Sequence, residues 1–304
     1  MHARTYTGGM IVRRLARAGC VAASLAVASA ALAAPRALDA TPVALAQAMA
    51  DRRVVLLGEV HDNAAQHALR AAALRALVEK GARPALAFEQ FDRERQADVD
   101  RARRERPRDA DYLIAQAQGS SDWDWPLYRP FVALALEFDL PIVAANLSRR
   151  DAMRVATQGW PAVFDAATIG ALQLDALPPS LRRKQEAAIA AGHCDLLPAR
   201  MIPAQANAQV ARDVAMAQAI APYATRGVVL LAGNGHARRD IGVPVWLPPD
   251  AARAALSIGL LEKDGESAVP EDAAAFDAYL VTAPAPREDP CVELRRQMTP
   301  AGKR

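Results

Sequence analysis

The stretch Val54-Val-Leu-Leu-Gly-Glu-Val-His-Asp62 does most to limit what this chain can become. Four apolar residues, two of them β-branched, run into a glycine and then into Glu59, His61 and Asp62, as a buried parallel strand does when it stops at a chemical site. Similar endings recur at Ala85-Leu-Ala-Phe-Glu89, Pro141-Ile-Val-Ala-Ala-Asn146 and Val228-Val-Leu-Leu-Ala-Gly-Asn-Gly-His236. Between the first two, residues 64–80 repeat apolar positions at helical spacing, with Asn63 as N-cap and Gly81 as stop, so 54–89 reads as a right-handed βαβ unit. The pattern predicts an α/β fold, a three-layer sandwich around a mostly parallel or mixed sheet. Ligands of such sheets bind outside the strand carboxyl ends, so the four endings are expected to converge on one pocket.

A first helix is expected over Thr41 to Asp51, and Pro130 to Asp139 is read as the helix that returns the chain to the third strand. Residues 147–223 show no strand, only helical stretches broken by Pro161, Pro178, Pro179, Gly192 and Pro198, the last long one over Ala204 to Ala221. Helical cap insertions at about 92–137 and 147–225 are therefore expected to lie over the strand carboxyl ends. Two more strands are expected at Leu256–Leu261 and Ala278–Thr282.

Residues 1–33 read differently. Arg13, Arg14 and Arg17 precede an apolar run closed by Ala31-Leu-Ala33, the three parts of a secretory signal peptide. The expectation is a mature domain over 34–304, secreted across the inner membrane to the periplasm; Met10 serves as a start as well as Met1. Lipid anchoring is not expected, because Cys20 precedes the apolar run and Arg17 stands where a lipoprotein signal carries an aliphatic residue. The signal also holds four arginines and no acid, so the formal +3 of the whole chain becomes −1, with 33 Lys and Arg against 34 Asp and Glu. That balance gives no case for nucleic-acid binding. Two cysteines remain, Cys194 and Cys291, and an oxidising compartment predicts a disulfide between them.

The groups at the strand ends are Glu59, His61, Asp62, Glu89, Asp92, Asn146, Arg149, Asn234, His236, Arg238 and Arg239. Glu59, His61, Glu89 and His236 suit one of two tasks: holding a divalent metal such as Mn or Zn, or acid and base work in a protease- or esterase-like hydrolase. The plainer reading is that Glu89 pairs with Arg149 or Arg239 across the sheet end. His67 lies on the apolar face of its helix and is as well read as a core histidine; His193 sits at a turn beside Cys194. Tyr128 and Arg129 stand side by side, and a phenolate and a guanidinium suit a ferric iron and a carboxylate. The chain has no His-Glu-x-x-His, Gly-x-Ser-x-Gly, phosphate loop or Cys-x-x-Cys-His, and Gly233-Asn-Gly235 is read as not followed by a helix, which disfavours a nucleotide.

Taken in order, Gly58-Glu-Val-His-Asp-Asn63 with His67, Phe88-Glu-Gln-Phe-Asp-Arg93, Trp125 to Pro130, Ala144-Ala-Asn-Leu-Ser-Arg149, His193-Cys194, Ala208 to Met216 and Gly233-Asn-Gly-His236 resemble the ChaN-like family of haem-binding uptake proteins. The resemblance runs over nearly the whole mature chain. It implies kinship with the Tiki proteases, TraB and the erythromycin esterases, which share the Gly-Glu start and a following histidine. It further implies an α/β sandwich with a helical cap and an envelope protein that takes part in haem or iron uptake alongside other uptake machinery. In such a protein a homodimer encloses two stacked haems, a tyrosine ligates each iron, and histidine contacts a propionate. Tyr112, Tyr128, Tyr223 and Tyr279 are the tyrosines considered, Tyr128 being favoured because Arg129 adjoins it. The haem contacts expected on this basis are Tyr128, Arg129, His61, His67 and His193.

Overall fold

The computed structural model describes residues 34–119, 123–263 and 270–298. The expected signal segment, 1–33, lies outside the described residues. Seven strands form one sheet: β1 (Arg36–Ala37), β2 (Val54–Leu57), β3 (Ala85–Asp92), β4 (Ile142–Asn146), β5 (Val228–Leu231), β6 (Ala255–Glu262) and β7 (Ala278–Thr282). Their order across the sheet is β1-β7-β6-β2-β5-β3-β4, and every pairing is parallel. The α/β sandwich and its sheet therefore follow the sequence reading. Parallel strands must be covered on both faces, and the alternation along each strand does this. Val54, Leu56, Val228 and Leu230 face one layer, while Val55, Leu57, Val229 and Leu231 face the other.

The second layer holds α1 (Pro42–Met49), α2 (Ala64–Glu79), α3 (Gln96–Glu105), α4 (Ala110–Ala117) and α5 (Trp125–Glu137). The opposite layer holds α6 (Arg149–Gln158), α7 (Ala166–Ala171) and α9 (Ile202–Ile220), with α8 (Pro179–Gly192) packed against α9. The two stretches expected as caps are thus helical, but their long helices serve as the layers: Phe131 and Val132 of α5 and Val210, Val214 and Ile220 of α9 are core. A one-turn helix, α10 (Asn234–Ala237), follows Gly233, where the sequence reading saw none. The helix expected from Pro130 begins earlier, at Trp125, with Pro126 in its first turn, where a missing N–H costs nothing.

After α11 (Pro249–Ala254), β6 and β7 occupy the places expected of the tail strands, and α12 (Pro290–Met298) ends the described chain. Cys194 and Cys291 are joined as a disulfide across 97 residues, tying the turn after α8 to the start of α12. That turn runs through Cys194 and Asp195, both left-handed at φ 56°.

Strand order decides where the site forms. β5 is inserted between β2 and β3, so the segment Gly233–His236 comes down between the ends that carry Glu59 and Glu89. The β3–β4 register shifts between Phe88 and Asp92, and Glu89 lies in that irregular span.

Candidate functional site

Glu59 is the first side chain past β2, and its carboxylate is buried. Its neighbour Gly58 donates to Ile258 O at 2.8 Å, while Asn234 N donates to Glu59 O at 2.9 Å. A Cβ at position 58 would collide with Asn234 Oδ1, so the close approach of β2 and α10 needs glycine. Three side chains converge on the Glu59 carboxylate from α2 and α5. Arg70 forms an ion pair with Oε2, Tyr128 donates its hydroxyl to Oε1 at 2.7 Å, and His67 Nε2 lies 3.5 Å from Oε2. Arg70 is wholly buried, and burial pulls its pKa down to about 9, which leaves it charged at neutral pH. It also donates to Leu57 O at 3.0 Å, tying α2 to the strand end. Burial holds His67 below the usual imidazole value, so at neutral pH it is uncharged and meets His61 O through Nε2 at 3.0 Å. Burial likewise pushes the Tyr128 phenol well above its usual pKa.

His61 is the member of this group that reaches the surface, its side chain 49% exposed. Its Nδ1 lies 2.9 Å from Glu59 Oε1. An ionised carboxylate only accepts, so Nδ1 is the donor in this contact. The ring packs over Gly233, where an added Cβ would come within 2.8 Å of Nε2, and stands edge to face with Trp123 at 5.1 Å between centroids.

A second buried cluster surrounds His236 of α10. Its Nδ1 lies 2.6 Å from Asp213 Oδ1 of α9, and its Nε2 lies 3.3 Å from Glu89 Oε1. The other Glu89 oxygen accepts from Gly233 N at 2.8 Å. Burial alone would favour a neutral imidazole, yet the charges of Glu89 and Asp213 lift His236 to about 10. Burial would also raise Glu89, but His236 and the Gly233 N–H hold it far below the usual carboxylate range. Asp213 ends at about 6, because burial outweighs its bond to His236. His236 is therefore a clamped cation at neutral pH, with no lone pair to act as a base.

Glu59, His61, Glu89 and His236 all line one cavity of about 560 Å³, together with Trp123, Gln209, Arg212, Gly233, Asn234 and Gly235. Convergence of three strand ends is thus observed, and the fourth joins indirectly: Asn146 accepts from Arg212 at 3.2 Å. A larger cavity of about 810 Å³ adjoins it through Val60, Asn234 and Gly235, with Ile241, Leu261 and Phe276 among its lining.

Other expected residues lie elsewhere. Arg129 is on the exposed side of α5, paired with Asp111 at 2.6 Å, so it does not share a site with Tyr128. His193 bonds Ile189 O at the end of α8. Arg149 is exposed, Asp62 pairs with Arg287, Arg238 with Asp240 and Arg239 with Asp277. Glu89 accordingly meets His236 and a backbone N–H, not Arg149 or Arg239 as the plainer reading supposed. Asp92 faces a separate pocket with Arg95 and Arg150. Tyr112 bonds Glu105 on the surface, Tyr223 packs at the edge of the core and Tyr279 is buried on β7.

Four residues of the site escaped the sequence reading: Arg70, Gln209, Arg212 and Asp213. Each had a visible signal. Arg70 interrupts the apolar face of α2 one turn after His67, and Gln209, Arg212 and Asp213 fall at i, i+3 and i+4 in a helix whose only charged residues are Arg212 and Asp213.

The metal alternative does not fit this arrangement. Among the described residues no group of three or more His, Cys, Asp or Glu is placed to hold an ion. Glu59 and Glu89 belong to two separate clusters, and each already contacts a cation, Arg70 and His236 respectively.

The class that the fold and the rim define is an α/β sandwich with carboxylates and histidines gathered at the carboxyl ends of a parallel sheet. The profile of the family described as haem-binding uptake, Tiki superfamily, ChaN matches residues 45–247, and the chain belongs to that family. A solved structure described as cofacial haem binding to ChaN of Campylobacter jejuni superposes with a TM-score of 0.60 at 20% identity, over 77% of this chain and 88% of that one. The type III effector HopBA1 gives 0.45 at 15% identity, over 85% and 100% of the two chains. A mutant erythromycin esterase, EreC, in its open conformation gives 0.42 at 14%, over 77% and 76%. At 20% identity the likeness to the Campylobacter jejuni protein is one of fold. Comparison with curated protein sequences gave no match.

Proposed function

We propose that this protein binds haem at the rim cavity, with His61 as the group that faces the iron. The observation that carries the reading is the setting of His61: its side chain is half exposed, its Nδ1 lies 2.9 Å from a buried carboxylate, and Nε2 is on the far side of the ring from that carboxylate. A carboxylate behind an imidazole fixes the tautomer and strengthens the ring as a ligand. Haem would supply the ferric iron and a flat apolar surface, and the Trp123 ring with Ile241, Leu261 and Phe276 of the adjoining cavity suits that surface. Tyr128, favoured from sequence, is 1% exposed with its hydroxyl engaged by Glu59. Its place in this reading is to hold Glu59 and, through it, His61.

The biological setting we propose is the bacterial envelope, after export directed by residues 1–33, in haem or iron uptake. Support comes from the arginines and apolar run of that segment and from the family description. A homodimer around two stacked haems is the assembly we propose, after the cofacial binding named for ChaN of Campylobacter jejuni.

Titration of haemin into the purified protein is expected to give a saturable shift of the Soret band. His61→Ala should weaken binding about tenfold or more, equivalent to about 1.4 kcal/mol. A wild-type protein that leaves the haemin spectrum unchanged at micromolar concentrations would end the proposal.

A further inference from the structure

We infer that Arg212 receives a carboxylate of the bound ligand, so that the cavity selects flat ligands bearing an acidic arm. The inference rests on the haem reading above, since a porphyrin of that kind carries propionates. Its basis is the set of ion pairs around the cavity. Glu59 pairs with buried Arg70, and Glu89 and Asp213 both contact His236. Arg212 pairs directly with none of these carboxylates. Its two hydrogen bonds, both from Nη1, go to neutral acceptors, Asn146 Oδ1 at 3.2 Å and Leu147 O at 3.1 Å. No carboxylate of the described residues lies within ion-pair distance of it, yet its side chain lines the same cavity as His61 and Trp123.

A guanidinium presents five N–H donors in a planar fork that matches a carboxylate. Here the fork is steadied by the end of β4 before any ligand arrives, which lowers the ordering cost of binding. Gln209, one turn earlier on α9, lines the same cavity and adds an amide. Close by are His61, which this reading turns toward iron, and the ring of Trp123. One cavity therefore offers an imidazole, an aromatic ring and a guanidinium with no carboxylate directly against it.

The test compares haemin with its dimethyl ester, in which both carboxylates are masked. Wild-type protein, Arg212→Leu and Arg212→Lys are titrated with each in the same dilute detergent, and their folding is checked by thermal unfolding. Wild type should bind haemin at least tenfold tighter than the ester. Arg212→Leu should lose that preference by weakening haemin alone, and Arg212→Lys should keep part of it. Equal weakening of both ligands in Arg212→Leu would show a purely structural role and overturn the inference. So would a wild type that binds both equally, with the haem reading left standing. If wild type binds neither, the haem reading fails and this inference falls with it.

Discussion

Glu59 and Arg70 form a pair out of reach of water, and such a pair is far more costly to break than to replace. Removing Arg70 alone leaves a carboxylate buried beside a phenol and two imidazoles. Arg70→Met is expected to lower the unfolding free energy by about 3–5 kcal/mol, while Arg70→Met with Glu59→Gln recovers most of it. Urea denaturation of the two variants measures this, and a double variant no better than the single one would contradict it. The same residues show what sequence could and could not give. Glu59 and His61 were legible because a strand ending in ionisable groups is a strong local pattern. Tyr128 and Arg129 misled because they are neighbours in sequence. Consecutive helical residues diverge by about 100°, so α5 turns the phenol into the core and the guanidinium toward Asp111.

At the scale of elements, His236 joins three of them: α10 that carries it, β3 through Glu89, and α9 through Asp213. Its pKa in the folded state, about 10, lies above the ordinary 6.5. The stabilisation linked to that shift is fully present below about pH 6.5 and disappears as pH rises toward 10, because only the folded state keeps the proton in that window. Asp213, lifted to about 6, adds a downward slope between its ordinary value and pH 6. Thermal unfolding should therefore show stability falling by a few kcal/mol between pH 6.5 and 10. His236→Gln should be less stable at pH 6.5 and flatter across the window; a variant with the wild-type slope would place the titration elsewhere. The four strand ends were readable in the sequence because buried parallel strands are continuous apolar runs. Their order was not, since nothing in Val228–Leu231 says that it will lie between β2 and β3. β1 also went unread, being two exposed residues that owe their conformation to pairing with β7.

Across the whole molecule, the layers and the disulfide act on different parts of the chain. The two apolar layers hold the sheet, whereas the Cys194–Cys291 bond ties a largely exposed final helix to the turn after α8. A closed loop of this length is expected to contribute about 2–4 kcal/mol, mostly by restricting the unfolded chain. Replacing both cysteines by serine should lower the denaturation midpoint accordingly, without altering haemin binding. An unchanged midpoint would mean that the tail unfolds independently of the domain. The expected caps became layers for a related reason: α5 and α9 are apolar enough to cover a sheet face, and a parallel sheet has two faces to cover. One consequence of strands that all run the same way concerns handling the protein. The rim opposite the cavity is where Arg53, Pro84 and Gly227 precede β2, β3 and β5. A fluorophore or a surface-coupling handle belongs there, as far from the ligand as the sheet is long.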